Sequence, residues 1–586
     1  MPSTYRLSRA RLAELAAGGG RPETISFLAR TQLSRRLLLL RLLRDQAQPG
    51  LGPLPPVDDA WTVLERAREH DRAAFESVVM YPQIGNWIAY TLRVHDKDGA
   101  PGGAAPAWAD YGQIHTVALV AAARSGLTWR TGVPLRDGRV TLPGLGQATF
   151  GPAGEWDHAT AETHAGRIRL GHRGRTITVP ADFRRDADGW QGLRLLTAGT
   201  DPGLRVTLDD LDPFRNLADP VGPERLTEAE VASWQGVLAE AWALFRDTVP
   251  ADARPLSMAV SSLAPLARAD QDHDEEIRSA STAEAFGGII LSAPSNAVDL
   301  AATLGHEYRH ILLGCLMHLC VLNDEHGRAR LYAPWRDDPR PIGGLLQGIY
   351  AFQGIASFFR ARAGRTDGTE RRAALFAYAL TRAQTRAGLA AARASGELTD
   401  LGQEFLDGLE AAMRRWASDE LPADIVRLAG LATTAHRITW LLRNRRPAPG
   451  SGAALARAWS ARTPADRPAP GTGTVEPAAD PPQLSTTWTR PLRLAVNRPV
   501  PVTSPETALI AGDVAAARSA FLQRISADPA DPDAWTGLAL CFVDAGAAEQ
   551  ARALITHPDV VVAGYRALAA AGDPPAADAL VAWAGR

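Results

Sequence analysis

Lysine is nearly absent from this chain. Of 63 basic residues only Lys97 is a lysine, and the rest are arginines. With 65 acidic residues the net charge is -2, which argues against any general affinity for nucleic acid or another polyanion. Cysteine is scarce as well. Cys315, Cys320 and Cys541 cannot build a disulfide framework, and the first two fall in an apolar stretch where they read as core packing rather than ligands. No apolar run is long enough for a bilayer; the longest, Ile311 to Leu322, is interrupted by His318. The opening residues MPSTYRLSRARLAELAAGGG lack the apolar core and cleavage site of a secretory signal. The expectation is therefore a cytoplasmic protein with no membrane and no nucleic-acid partner.

What remains is a globular composition, 46% hydrophobic and 22% charged over 586 residues, too long for one ordinary core. Within it, His306-Glu307-Tyr308-Arg309-His310 is an instance of HExxH. On a helix, residues four apart share a face about 6 Å apart along the axis, so both imidazoles can grip one metal ion. Glu307 between them can handle a proton or orient a bound water. With 13 histidines in 586 residues, about 0.01–0.02 random matches are expected per chain, so a metal site is the leading reading.

Residues 1–126 read as helical. Ser8 caps a first helix, Gly18-Gly19-Gly20 stops it, and Tyr81-Pro82 breaks a later one. Residues 127–212 change texture to short β-branched runs parted by Gly, Pro and Asp, the pattern of a small antiparallel sheet. Residues 213–446 form the metal-binding region, with helices at 226–247, 342–362 and 423–443 and a strand at Leu256–Ser262. There Phe286-Gly-Gly-Ile-Ile-Leu-Ser reads as a buried strand, and Pro294-Ser295-Asn296 as turn and cap for the HExxH helix. Residues 447–504 read as a Pro/Gly-rich linker or strap. Residues 505–586 read as a tetratricopeptide-like appendage, since Trp535, Leu538 and Ala539 match the opening of one such repeat. The fold class expected is α+β and predominantly helical: a helical metal-binding core, a small antiparallel β insertion and a helical C-terminal appendage.

Two histidines need a further ligand. His318, eight residues past His310, is about 12 Å along the helix and reads as a core or neighbouring histidine. Gln347 stands where a gluzincin peptidase would place its acidic ligand, and a neutral amide is a poor substitute. His436 recurs at helical spacing with Leu428, Ala432 and Trp440, so it faces inward. It is either a buried histidine satisfied by a carbonyl or the third ligand. Asp337 or Asp338 is the carboxylate alternative of a two-histidine, one-carboxylate iron site. Arg336 and Arg340 lie in a proline-stiffened loop, which is either solvated with internal Arg–Asp pairs or a lid presenting a guanidinium to a carboxylate. Arg437 is another candidate for that clamp. Arg309 reads as a substrate contact or as helix surface.

The run FGGIILSAPSNAVDLAATLGHEYRHILLG, with YAPWRDDPRPIGGLLQGIYAF and HRITWLLRNRRP, resembles the actinobacterial HExxH-motif peptide-modification proteins. These are 2-oxoglutarate-dependent peptide β-hydroxylases, found alone or fused to radical-SAM maturases of ribosomally made peptides. The segments ARTQLSRRLLLLRLL and YPQIGNW fit as well, so the likeness spans roughly residues 5–446. It implies iron(II) on His306 and His310 and 2-oxoglutarate as cosubstrate. Also implied are hydroxylation of a side-chain β-carbon with release of succinate and carbon dioxide, and a precursor peptide as substrate. Arg336, Arg340 and Arg437 are then candidates to hold the distal carboxylate of the cosubstrate, and Glu307 is expected to orient a ligand or water. The alternative is a gluzincin-like zinc metallopeptidase.

Overall fold

The computed structural model describes residues 5–47, 52–95, 105–217, 219–266, 277–324, 327, 330–464, 473–476, 487–572 and 574–585. The chain is a mixed α+β protein, mainly helical. It divides into two compact units, one of residues 1–15 and 19–320, the other of 16–18 and 321–586. The division falls after Cys320, inside the stretch 213–446.

Near the start of the chain, helices Arg9–Ala16 and Pro22–Gln46 are parted at Gly18, whose φ of 88° suits a residue without a side chain. The Ser8 hydroxyl accepts from Arg11 N at 3.3 Å, as the sequence suggests. Four more helices follow, Val57–His70, Arg72–Val79, Pro82–Val94 and Ala107–Arg124, with the expected break at Tyr81-Pro82.

The β texture after 127 becomes β1 (Trp129–Arg136), β2 (Arg139–Leu142), β3 (Gly146–Thr149), β4 (Trp156–His164), β5 (Arg167–His172), β6 (Arg175–Thr178) and β7 (Trp190–Gly192). They make one antiparallel sheet in the order β6-β5-β4-β1-β2-β3-β7. Alternation positions it. In β5, Ile168 and Leu170 are buried while Arg167 and Arg169 are exposed. The buried face joins Ile114, Val117 and Leu119 of helix Ala107–Arg124 in one core.

A second sheet carries the site. It contains β8 (Arg194–Ala198), β9 (Leu204–Leu208), β10 (Ser262–Pro265), β11 (Ser279–Ala280) and β12 (Gly288–Leu291), ordered β11-β12-β10-β9-β8. β10 runs parallel to both neighbours, whereas β11 is an antiparallel edge on β12. Helix Glu228–Thr248 has a full capping box from Thr227 and Glu230. The strand expected at Leu256–Ser262 is instead the end of helix Pro250–Ala259, and β10 begins only at Ser262. Pro250 starts that helix at a position where its missing N–H costs nothing, and its short apolar run carries no decisive period.

The second unit is helical among its described residues: Ile342–Ala363, Gly368–Ala394, Asp400–Arg414, Ala423–Asn444, Ser451–Ser460 and Thr489–Ala495, then the helices from Pro505 to Gly585. Helix Ile342–Ala363 is apolar and long enough to cross a membrane by length and composition, and 61% of its most apolar window is buried in the protein, as in a core helix. The stretch expected as linker includes helix Ser451–Ser460 and residues Thr474–Val475 paired with Arg445–Arg446. Its residues 465–472 and 477–486 lie outside the described residues. The terminal helices share one core with Ala423–Asn444, where Ile425, Leu428 and Ile438 meet Phe521, Trp535 and Leu538. Arg427 fixes this packing through Asp544 at 2.6 and 2.8 Å, and Thr439 meets Thr536 at 3.0 Å.

Candidate metal centre

β12 leads through Pro294-Ser295-Asn296 into helix Ala297–Met317, which carries the HExxH motif. The Asn296 side chain caps it by accepting from Asp299 N at 2.9 Å, and Asp299 complements the helix N-terminus. His306 and His310 come together as their spacing predicts. Their Nε2 atoms lie 3.1 Å apart, with ring planes at 81°. That separation suits a hydrogen bond between two neutral rings. It also suits one ion: with bonds of about 2.1 Å, nitrogens 3.1 Å apart subtend about 95°, since half the separation over the bond length is the sine of half the angle. Burial, and then His310, hold the pKa of His306 well below the ordinary imidazole value. The neutral ring is the form that binds metal.

Glu307 is fully buried, and each carboxylate oxygen is engaged. Ser279 Oγ donates to Oε1 and Ser281 Oγ to Oε2, both at 2.6 Å. Oε1 also lies 3.9 Å from His306 Nε2. Ser279 begins edge strand β11 and Ser281 follows its end, on either side of Ala280; neither serine stands out in the sequence. Their signal was faint: the S-x-S spacing puts two hydroxyls on one face of an extended segment.

The serine segment is itself braced. Arg35 grips Glu284 through a two-pronged pair at 2.6 and 2.8 Å. Arg36, only 4% exposed, donates to the carbonyls of Val79, Tyr81 and Glu284. Burial lowers its pKa to about 10, with Glu284 opposing. Gly85 permits this approach, since a Cβ there would lie 1.9 Å from the Glu284 carbonyl oxygen. Arg309 is neither surface nor exposed contact. It is 3% exposed and donates to Asp252 at 2.9 Å, because its flank of the helix packs against Pro250–Ala259. His318 caps the helix end and meets Gln32 at 3.2 Å.

The other sequence candidates belong to the second unit. His436 lies half-buried on helix Ala423–Asn444, its Nδ1 2.9 Å from the Tyr332 hydroxyl. Burial pushes its pKa down to about 4, against a bond to the Arg336 carbonyl that raises it. Arg437 stacks over the Tyr332 ring at 5.6 Å. Arg336 and Arg340 both bond Asp338, at 2.7 and 3.1 Å, which is the internal Arg–Asp pairing considered above. Burial pushes Asp338 up, but the two arginines outweigh it and hold its pKa down. The loop is closed by reciprocal backbone bonds between Leu331 and Arg340, and Trp335 stacks on Phe352 at 4.5 Å. The Asp337 carbonyl accepts from Asn444 at 2.8 Å. Gln347 is half-buried on helix Ile342–Ala363.

Among the described residues, no group of three or more His, Cys, Asp or Glu side chains is gathered to hold one metal ion. The donor set the structure brings together is the imidazole pair. No protein-family model matches the chain, and no curated protein matches it.

Proposed function

We propose that this protein is an iron(II)/2-oxoglutarate-dependent hydroxylase that modifies a side-chain β-carbon of a ribosomally made peptide, with His306 and His310 as metal ligands. The observation carrying the reading is the convergence of two imidazole nitrogens at 3.1 Å on a helix whose register is clamped from both sides. When bound, iron with 2-oxoglutarate and dioxygen supplies the oxidising power for hydroxylation, leaving succinate and carbon dioxide. The chain's own residues supply the grip. His306 and His310 offer lone pairs, Ser279 and Ser281 fix Glu307, and Arg309–Asp252 anchors the opposite flank.

The engagement of both Glu307 oxygens favours this reading over zinc peptidolysis, in which that carboxylate must take a proton from water. Two inward-facing ligands also leave coordination positions for a keto acid and oxygen, as iron oxygenases need. His436 as third ligand and Arg336, Arg340 or Arg437 as cosubstrate clamp belong to the same proposal. So do a radical-SAM maturase as partner and a tetratricopeptide-like role for 505–586.

The test is purified protein with iron, 2-oxoglutarate and a precursor peptide encoded beside its gene. A mass gain of about 16 Da that requires both additions and disappears in His310→Ala supports the proposal. Peptide cleavage with zinc, without oxygen, would replace it by the peptidase. For His436, iron titration of His436→Ala decides: a loss of about tenfold or more supports a ligand, and unaltered affinity removes it.

A further inference from the structure

Away from the imidazole pair, the first unit holds a cavity of about 240 Å³ between the antiparallel sheet, helices Pro82–Val94 and Ala107–Arg124, and the chain at 211–214 and 219–223. An apolar cavity of about 150 Å³ can hold benzene, so there is room for a ring and a short chain. The cavity is preformed. Arg215, 4% exposed, reaches the carbonyls of Asp212 and Gly222 at 3.0 and 2.6 Å. Val221 N bonds the Pro213 carbonyl at 2.9 Å, and Asn86 ties the Phe214 and Asn216 carbonyls to its own helix at 3.0 and 3.2 Å. A chain pinned this way cannot collapse into the space beneath it, and ligand sites are usually preformed.

The wall chemistry indicates the occupant. Tyr90, Phe214, Trp156 and Pro134 give an aromatic and apolar lining. Three carboxylates also line it, and each has a partner of its own: Asp110 bonds the His95 ring at 2.8 Å, Asp137 meets Arg136 at 3.8 Å, and Asp219 meets Arg93 at 3.4 Å. Arg139 is the cation left over, with no carboxylate paired to it among the described residues. The turn between β1 and β2 brings Arg139 opposite Arg136, whose guanidinium lies 5.3 Å over the Trp156 ring.

We infer that this cavity binds a carboxylate with an aromatic or branched apolar body, its anionic end on Arg139 and its body against Phe214 and Tyr90. Such a group can be a free organic acid or an acidic peptide residue beside a large apolar one. The inference does not depend on the metal.

Isothermal titration of the full-length protein tests it with four probes: 3-phenylpropionate, its neutral amide, acetyl-Phe-Glu-Leu-amide, and the same tripeptide with Gln for Glu. At least one carboxylate probe should bind, with its neutral counterpart weaker by about tenfold or more. The tighter carboxylate identifies the source as free acid or peptide. Arg139→Gln should weaken binding by about ten- to a hundredfold, Arg139→Lys by only a few-fold, and His310→Ala not at all. Binding of neither carboxylate probe, equal binding of acid and amide, or full affinity in a folded Arg139→Gln protein would overturn the inference. A loss in His310→Ala matching that in Arg139→Gln would overturn it too, since the probes would then be reading the metal centre.

Discussion

His306 and His436 sit in similar settings by every measure available from the sequence: each is an inward-facing histidine on an apolar helix. Burial lowers the pKa of both. Their partners separate them. His306 faces another imidazole at 3.1 Å, so two acceptor nitrogens can serve one ion, whereas His436 faces a tyrosine hydroxyl at 2.9 Å. Burial makes a histidine neutral; the neighbour decides what the neutral ring does.

The sharpest way to break this contrast is His310→Ala. Metal affinity should fall by more than about a hundredfold by titration, since the imidazole pair that grips the ion is broken. Next come the serines. Ser279→Ala and Ser281→Ala should each cost about 1–3 kcal/mol in urea unfolding, because each strands an oxygen of a fully buried carboxylate. Glu307→Gln should leave hydroxylation partly intact; complete loss with retained fold and metal would assign Glu307 a proton-handling role instead. Tyr332→Phe should cost about 1 kcal/mol in urea unfolding, the scale of one neutral hydrogen bond.

A pH effect concerns a third histidine, His115, which is fully buried. His115 has its pKa pushed down to about 4 by burial, despite its bond to the Pro55 carbonyl. The unfolded chain therefore holds more protons than the native one below pH 6.5. Stability should fall as pH drops from about 6.5 through 4, by up to about 1.4 kcal/mol per unit from this residue. His115→Gln should flatten that slope in pH-dependent urea unfolding.

Much of the fold is legible in the sequence where one residue type answers one geometric need. Asn296 before an apolar run marks the start of the HExxH helix, Gly18 the break near the N-terminus, and alternation in β5 its buried face. What stays hidden depends on partners far along the chain. Nothing near Arg309 announces Asp252, and nothing near Glu307 announces Ser279 and Ser281. The stretch 368–414, two helices, carries no motif to draw the eye. The run at 256–262 has too few residues to separate a helix end from a strand.

Arg36 carries one practical consequence. Its guanidinium meets backbone oxygens at residues 79, 81 and 284, so the strand segment that holds Glu307 is tied to a helix near the beginning of the chain. Anyone trimming this protein to a minimal fragment around the histidine pair would be tempted to start near residue 213. Such a fragment would discard the brace and leave the serine-bearing segment without its tether, so a fragment that keeps the pair in place has to begin upstream of Pro22.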